Sequence, residues 1–555
     1  MKVFARPAAP PLTRTAAAWH KLRQRWQRYF FALPPLALAL ITLLVVWQYN
    51  PLQRPLTGDS GVFAYLAQLV ADGFPPHKYA FNEQASLTFL IGGAFMRLGD
   101  SLGIHRMLAL RAASVICFGA IVLLTYSLTW RWTRSIWAAF TAGIILVGME
   151  GLGVRAASAL EPKALMLLFG LATLLALQKR SWVWAGAFSG LAGLVWQIAW
   201  GYLIVALLLA LTQGGITRRA RVRAFLWTLA PALGVFGAYI LYFVARDASV
   251  EMFQQTFLAP ALMHASRARS LLARALQQYN TFLLGYPSHL IFAALGVSGL
   301  LFWLGAHLRP WQIRRFPARG VYYFLYNRRV SGTLLVIAGF TLYAFLDFQN
   351  YPDWFPLLPF LALFAAWLLW QALARVLQFF KLAARPRALV LALATLFLLS
   401  ISIAHVFSAS PLDKRMPGLT WQMQERAAMA TSRALGPATP VWVIGKPELL
   451  FLMRRQNLNP YIYLFGHVDG MIDRLEPGGF QQMLDNALAQ KPGLLVLARL
   501  PKRKFTSPAN YRALENLKTD FVAVRQCRAL GAGDFFARAD LIKTLSAATQ
   551  GCIKK

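Results

Sequence analysis

Acidic residues are scarce in this sequence. Its 555 residues include 21 Asp and Glu against 57 Lys and Arg, and both signs together make up only 14%; an ordinary soluble domain carries roughly 25% charged residues. With 57% hydrophobic residues and a mean hydropathy of +0.48, a soluble enzyme is excluded. Cysteine is nearly absent, at three residues, which excludes a disulfide scaffold. Cys117 lies in an apolar run, and Cys527 and Cys552 can pair only if the tail that carries them stands in an oxidising compartment. The sequence has neither a fixed-period repeat nor a low-complexity segment. The net charge of +36 is not matched by a basic-aromatic motif or a nucleic-acid-binding fold, so nucleic acid is not the expected partner. A membrane accounts for it, because basic residues collect in cytoplasmic loops and at anionic headgroups.

Long apolar runs are what the sequence has in place of charge. After a basic segment over 1–29, a first run covers Phe30 to Gln48. Further runs follow near 107–129, 136–150, 161–177, 182–197, 200–213, 225–245, 286–306, 332–348, 355–376 and 388–408. A bilayer crossing needs roughly 20 apolar residues, so the expectation is an all-α polytopic membrane bundle of about eleven helices over 30–408. The first helix is expected to be retained, since no small-residue cleavage site follows it.

Charge sets the expected orientation. The first 408 residues contain ten acids, Asp59, Asp72, Glu83, Asp100, Glu150, Glu161, Asp247, Glu251, Asp347 and Asp353, and alternation of the runs places all ten on one side. The basic loops Arg131/Arg134, Lys179/Arg180, Arg218 to Arg223, Arg309 to Arg329 and Lys381 to Arg387 fall on the other, the cytoplasmic side. The N-terminus is then cytoplasmic, in the cell or inner membrane. Two long outer loops span 49–106 and 246–285, and an apolar segment from Gln84 to Leu98, interrupted by Gly92 and Gly93, reads as a helix along or dipping into the outer leaflet. Residues 409–555 hold the other eleven acids and read as an extracytoplasmic α/β domain. Its expected strands are Pro440–Gly445, Asn459–Leu464, Leu494–Ala498 and a terminal hairpin of Phe521–Arg528 with Asp534–Arg538, with helices over Glu448–Arg455 and Phe480–Gln490.

Acids gathered on one face of a membrane bundle are the main functional clue. Asp59, in Leu56-Thr-Gly-Asp-Ser-Gly-Val-Phe-Ala-Tyr65, reads equally as a helix cap or as a base. Glu83, in Pro75-Pro-His-Lys-Tyr-Ala-Phe-Asn-Glu-Gln84, has the same two readings. Asp59 before a Tyr-containing helix, Asp72-Gly-Phe-Pro-Pro76 and Asn82-Glu-Gln84 before an apolar helix together resemble the first outer loop of the GT-C integral-membrane glycosyltransferases. The likeness is to the branch with protein O-mannosyltransferases and the aminoarabinose transferase of lipid A. Arg155 with Glu161-Pro162 is similar to the second outer turn of that family. Asp347-Phe-Gln-Asn-Tyr-Pro-Asp-Trp-Phe-Pro-Leu-Leu-Pro359 resembles the entry to a late helix, closest in look to dolichyl-phosphate-mannose mannosyltransferases.

The resemblance implies transfer of a sugar, mannose or a similar hexose, from a polyprenyl or dolichyl monophosphate to a glycan, lipid or protein acceptor. It implies Asp59 as base, and Arg155 with the basic residues His264, Arg267, Arg269 and Arg274 on the phosphate. Glu83, Glu161, Tyr351 and Asp353 would shape the sugar site. A divalent metal on Glu83 and His264 is implied by analogy with the aminoarabinose branch. Bland readings stand beside these: an Arg155–Glu161 salt bridge, headgroup contacts for residues 264–274, and a proline-directed helix entry for 351–359. The pattern departs from the family at Gln84-Ala85, where two prolines are usual, and at Trp196-Gln197, where a lysine often ends the fifth span. The rival reading is a lipid-linked sugar flippase or transporter. Such proteins place ionisable residues near the midplane, between matched halves, and neither feature is present here.

Overall fold

The computed structural model describes residues 32–264, 270–285, 287–307, 328–346, 351–381, 384–408, 418–464, 467–498, 502, 505–524, 530 and 534–550. A helix stands on every expected apolar run. The N-terminal part comprises α1 (Ala32–Gln48), α2 (Asp59–Ala71), α3 (Pro76–Tyr79), α4 (Leu87–Ser101), α5 (Arg106–Thr133), α6 (Ile136–Val147), α7 (Glu150–Ala156), α8 (Pro162–Gln178), α9 (Trp182–Val195), α10 (Trp200–Gln213) and α11 (Arg218–Val244). Later helices cover Pro287–His307, Arg328–Leu346, Leu358–Phe379 and Ala384–Ser408. Among the described residues, four helices are both long and apolar enough to cross a membrane: α5, α11, His289–Ala306 and Leu358–Phe379. The pair α6 and α7, bent by 66°, makes a fifth if it counts as one broken span, and the remaining apolar helical stretches, Val330–Leu346 and Leu389–Ile401 among them, are shorter than 18 residues.

Local chemistry explains where these helices begin and end. Ser135 caps α6 by accepting from Ala138 N at 3.3 Å, and Thr217 caps α11 in the same way from Ala220 N at 3.2 Å. Pro162 opens α8, where its missing N–H costs nothing. The start of α2 is different. Gly58 precedes it at φ 56°, a left-handed conformation open to glycine, and no side chain caps the helix. Helix α4 packs on α2 through Gly92 and Gly93, whose missing Cβ atoms let it approach Ala67 and Val70. The expected helix over 84–98 is therefore buried on one side against protein.

The C-terminal region carries a four-stranded sheet of order β1-β2-β4-β3: β1 (Val441–Ile444), β2 (Leu494–Leu497), β3 (Val522–Ala523) and β4 (Asp534–Ala537). Strands β1 and β2 run parallel, and β4 is antiparallel to both of its neighbours. The expected strand over 459–464 is not formed. Pro460 has no N–H to donate, and its carbonyl accepts from Phe81 N at 2.7 Å instead of from a strand neighbour. The paired strands β3 and β4 are also not terminal, since a helix follows at Ile542–Gln550. Cys527 and Cys552 lie outside the described residues, and Cys117 is a buried free thiol.

This region packs directly on the segment between α1 and α4. Gln424 exchanges two hydrogen bonds with the backbone of Leu56, at 2.7 and 3.1 Å. Trp421 donates from its backbone to Gln53 O and from its ring to Leu52 O. Asn457 N donates to the Tyr65 hydroxyl at 2.9 Å, and Phe81 packs against Tyr461 and Tyr463. The loop that carries Asp59 and Glu83 is thus sandwiched between the helical bundle and the C-terminal region.

Candidate functional site

Asp59 is the first residue of α2, and its carboxylate does not cap the helix. That rejects the capping reading. The carboxylate points instead toward Arg155, on the last turn of α7, whose Nη1 lies 3.8 Å from Asp59 Oδ2 and 2.6 Å from Glu161 Oε1. The three groups differ sharply in exposure: the side chain of Asp59 is 63% exposed, that of Arg155 27% and that of Glu161 3%. Two residues further on, Lys163 pairs with Asp353, a carboxylate only 1% exposed, and sits 4.4 Å over the ring of Trp196. Charges of alternating sign therefore run from Asp59 through Arg155, Glu161 and Lys163 to Asp353. The exposed end of this row is an acid beside a cation, and the buried end is a tightly held pair.

Arg111, on α5, holds the two segments that carry this row. Its guanidinium donates to Pro51 O at 2.6 Å, Arg54 O at 2.5 Å and Ser158 O at 3.0 Å. The first two carbonyls precede Asp59 and the third lies between Arg155 and Glu161. Nothing in the spacing of Arg111 announces this. Only the fold brings a mid-sequence arginine to three carbonyls from two loops.

Glu83 stands in the turn between α3 and α4. Its carbonyl accepts from Gln197 Nε2 at 2.7 Å, and the same amide donates to Thr256 O at 2.7 Å. The departure at Trp196-Gln197 thus has a structural use: the tryptophan lies under Lys163 and the glutamine ties Glu83 to the 254–258 turn. Tyr463, from the C-terminal region, faces the same place. Burial pushes its phenol well above the ordinary value, and the charges of Glu83 and Asp59 add to that shift.

His77 is the buried anchor of this loop. Its Nδ1 donates to Gln255 Oε1 at 3.0 Å, and Nε2 is left to accept from the Ser86 hydroxyl. Burial lowers its pKa from 6.5 to about 4, partly offset by the Gln255 hydrogen bond, so it is neutral in the folded protein. A folded value below the unfolded one stabilises above the unfolded pKa. That stability is expected to be lost as the pH falls from 6.5 toward 4, by on the order of 3 kcal/mol. Thermal denaturation of the purified protein across that range checks this, and His77→Gln should flatten the acid limb.

Not every expected site residue joins this cluster. Tyr351 belongs to a single turn of 3₁₀ helix, Tyr351–Trp354, that leads Asp353 toward Lys163; the tyrosine side chain lies outside the described residues. His264 ends the short helix Ala259–His264, and its side chain, with all of Arg267 and Arg269, likewise lies outside them. Arg274 is turned to the end of the helix Arg328–Leu346, where it donates to Phe345 O at 2.9 Å. Among the described residues, no group of three or more His, Cys, Asp and Glu is placed to hold a metal. The sequence reading missed Lys163, Gln197, Tyr463 and Arg111. Lys163 had a signal, as a cation directly after Glu161-Pro162 on the face where acids collect.

Comparison with known structures places this architecture. It is the GT-C fold of integral-membrane glycosyltransferases, and the chain is a multi-pass membrane protein with that fold. Among the structures it resembles is ArnT from Cupriavidus metallidurans in the apo state, at 16% identity and a TM-score of 0.53, with 92% of this chain and 98% of that one covered. The same protein bound to undecaprenyl phosphate matches at 16% identity and a TM-score of 0.51, covering 91% and 98%. A more distant likeness, at 13% identity and a TM-score of 0.48, is to the archaeal oligosaccharyltransferase AglB from Archaeoglobus fulgidus, covering 94% and 78%. No family model and no curated protein matches the sequence.

Proposed function

We propose that this chain is a GT-C type glycosyltransferase that moves a sugar from a polyprenyl or dolichyl monophosphate to an acceptor on the face of the membrane where the C-terminal region stands. The observation that carries the reading is the juxtaposition of an exposed carboxylate, Asp59, with the cation of Arg155 at 3.8 Å. Transfer from a lipid phosphate needs both parts: a base for the acceptor hydroxyl and positive charge for the departing phosphate. Asp59 takes the hydroxyl proton as the acceptor oxygen attacks the anomeric carbon. The bond from that carbon to the phosphate oxygen breaks, and the phosphate leaves with the electron pair beside Arg155. One direct displacement inverts the anomeric centre. Glu161, Asp353 and Lys163 hold the Arg155 end of the row in place, and Glu83 and Tyr463 border the sugar. Glycosyl transfer on the same fold, with a structure named for its bound undecaprenyl phosphate, supports the donor class. A hexose, mannose among them, is the sugar we favour, on the strength of the 347–359 segment.

The test is transfer of radiolabelled sugar from a panel of polyprenyl- and dolichyl-phosphate sugars to total membrane acceptors by the purified protein. Label moving from one donor class supports the reading. Folded protein that moves no label from any donor, but carries labelled lipid across vesicle membranes, would replace it with the flippase.

A further inference from the structure

We propose that the C-terminal region is a working part of the site, and that Glu448 is a positioning residue that acts by packing on Gly61 and so fixes the first turn of α2, from which Asp59 projects. The inference rests on the role assigned to Asp59 above and goes beyond it by naming what aims that carboxylate.

The contact is unusually close. A Cβ placed on Gly61 would lie 2.7 Å from Glu448 Cβ and 3.0 Å from both its backbone N and its Oε2, so only a residue without a side chain fits there. Gly61 is two residues from Asp59. Helix α2 has no side-chain cap and enters through the left-handed Gly58, so its first turn needs an external support. Glu448 supplies a stiff one. It is the second residue of the helix Pro447–Met453, in which Leu449, Leu450 and Leu452 are at most 1% exposed. The preceding turn is pinned by Gly445 N donating to Ile462 O at 2.7 Å, and the Glu448 carboxylate itself is held by Lys446 at 3.0 Å and is almost fully buried. A shift at this contact therefore moves Asp59 relative to Arg155.

Helix α2 also offers a matched control at its far end. A Cβ on Gly93 would meet Val70 Cγ1 at 2.6 Å and Ala67 O at 2.9 Å, an equal clash with the same helix but well away from Asp59. The experiment compares kcat, donor KM and thermal stability for wild type, Gly61→Ala, Gly93→Ala, Glu448→Gly and Glu448→Gln in the full-length protein. Gly61→Ala and Glu448→Gly, which removes the side chain lying on Gly61, are expected to lower kcat by about 10²-fold, the effect of roughly 1 Å of misplacement, with donor KM changed less than about threefold. Gly93→Ala should lower stability and keep kcat. Glu448→Gln, which preserves the packed shape, should retain kcat. Unchanged kcat in Gly61→Ala or Glu448→Gly, or an equal loss in Gly93→Ala, would overturn the positioning role while leaving the transferase reading intact. A wild type inactive with every donor would overturn that reading and this inference with it.

Discussion

Asp59→Asn is expected to abolish sugar transfer while leaving the protein as stable as the wild type. A positioned general base typically contributes 10² to 10⁴, so the rate should fall by about 10²- to 10⁴-fold. The stability half of the expectation follows from the geometry. The carboxylate does not cap α2, its side chain is 63% exposed, and its pairing with Arg155 spans 3.8 Å. An exposed ion pair of that length contributes about 0 to 1 kcal/mol, and the charge at the helix N-terminus a similar amount. Asparagine keeps the size and the hydrogen-bonding reach but cannot accept the acceptor's proton. The check is a transfer assay alongside a melting curve for both proteins. Equal transfer by the two would remove Asp59 as the base, and a large loss of stability would show that its role is in the fold.

Arg155→Met is expected to fail on both counts, for separable reasons. The guanidinium is the partner of Glu161, which is 3% exposed, and removing it strands a buried carboxylate. Breaking a buried pair in this way costs about 3–5 kcal/mol, whereas replacing both members by apolar residues of similar volume is often neutral. The double variant Arg155→Met with Glu161→Leu should therefore recover the stability lost in the single variant. It should not recover transfer, because the cation beside the leaving phosphate is still missing. Recovery of both stability and transfer in the double variant would mean that the pair is only a strut between α7 and α8. Melting temperatures and transfer rates measured on the same preparations separate these cases.

These two predictions set Asp59 and Arg155 apart from the rest of the charged row. Asp353 is buried against the half-buried Lys163, and Trp196 covers the ammonium. Their place is at the closed end, where a rigid pair keeps the entry to Leu358–Phe379 against α8. Among the described cations of this row, Arg155 is the one that joins a buried carboxylate, Glu161, to an exposed one, Asp59.

Much of the architecture follows from the order of the residues. Each apolar run marked a helix, because a segment of that composition has few alternatives to a helix in a membrane, whereas the short helices α3 and α7 lie outside those runs. Asp59, Arg155 and Glu161 were legible as a group, since acids are rare enough that their clustering in two outer turns carries information. β1, β2 and the β3/β4 pair were legible from short apolar segments bounded by glycine and polar residues. The 459–464 segment was misread because a β-rich composition says nothing about where a proline's carbonyl will be used.

What only the tertiary structure decided is which groups meet. Whether Asp59 caps its helix or faces Arg155 depends on the left-handed turn at Gly58 and on the bend between α6 and α7. Arg111 serves three carbonyls from two loops, and Gln197 bridges Glu83 and Thr256, although neither has a motif. Glu448 and Tyr463 lie more than 350 residues along the chain from Asp59 and Glu83. The physical reason is the same in each case: composition and periodicity act within one element, where neighbours are a turn apart. A site built between elements depends on close approaches, such as Glu448 on Gly61, that exist only once the chain has packed.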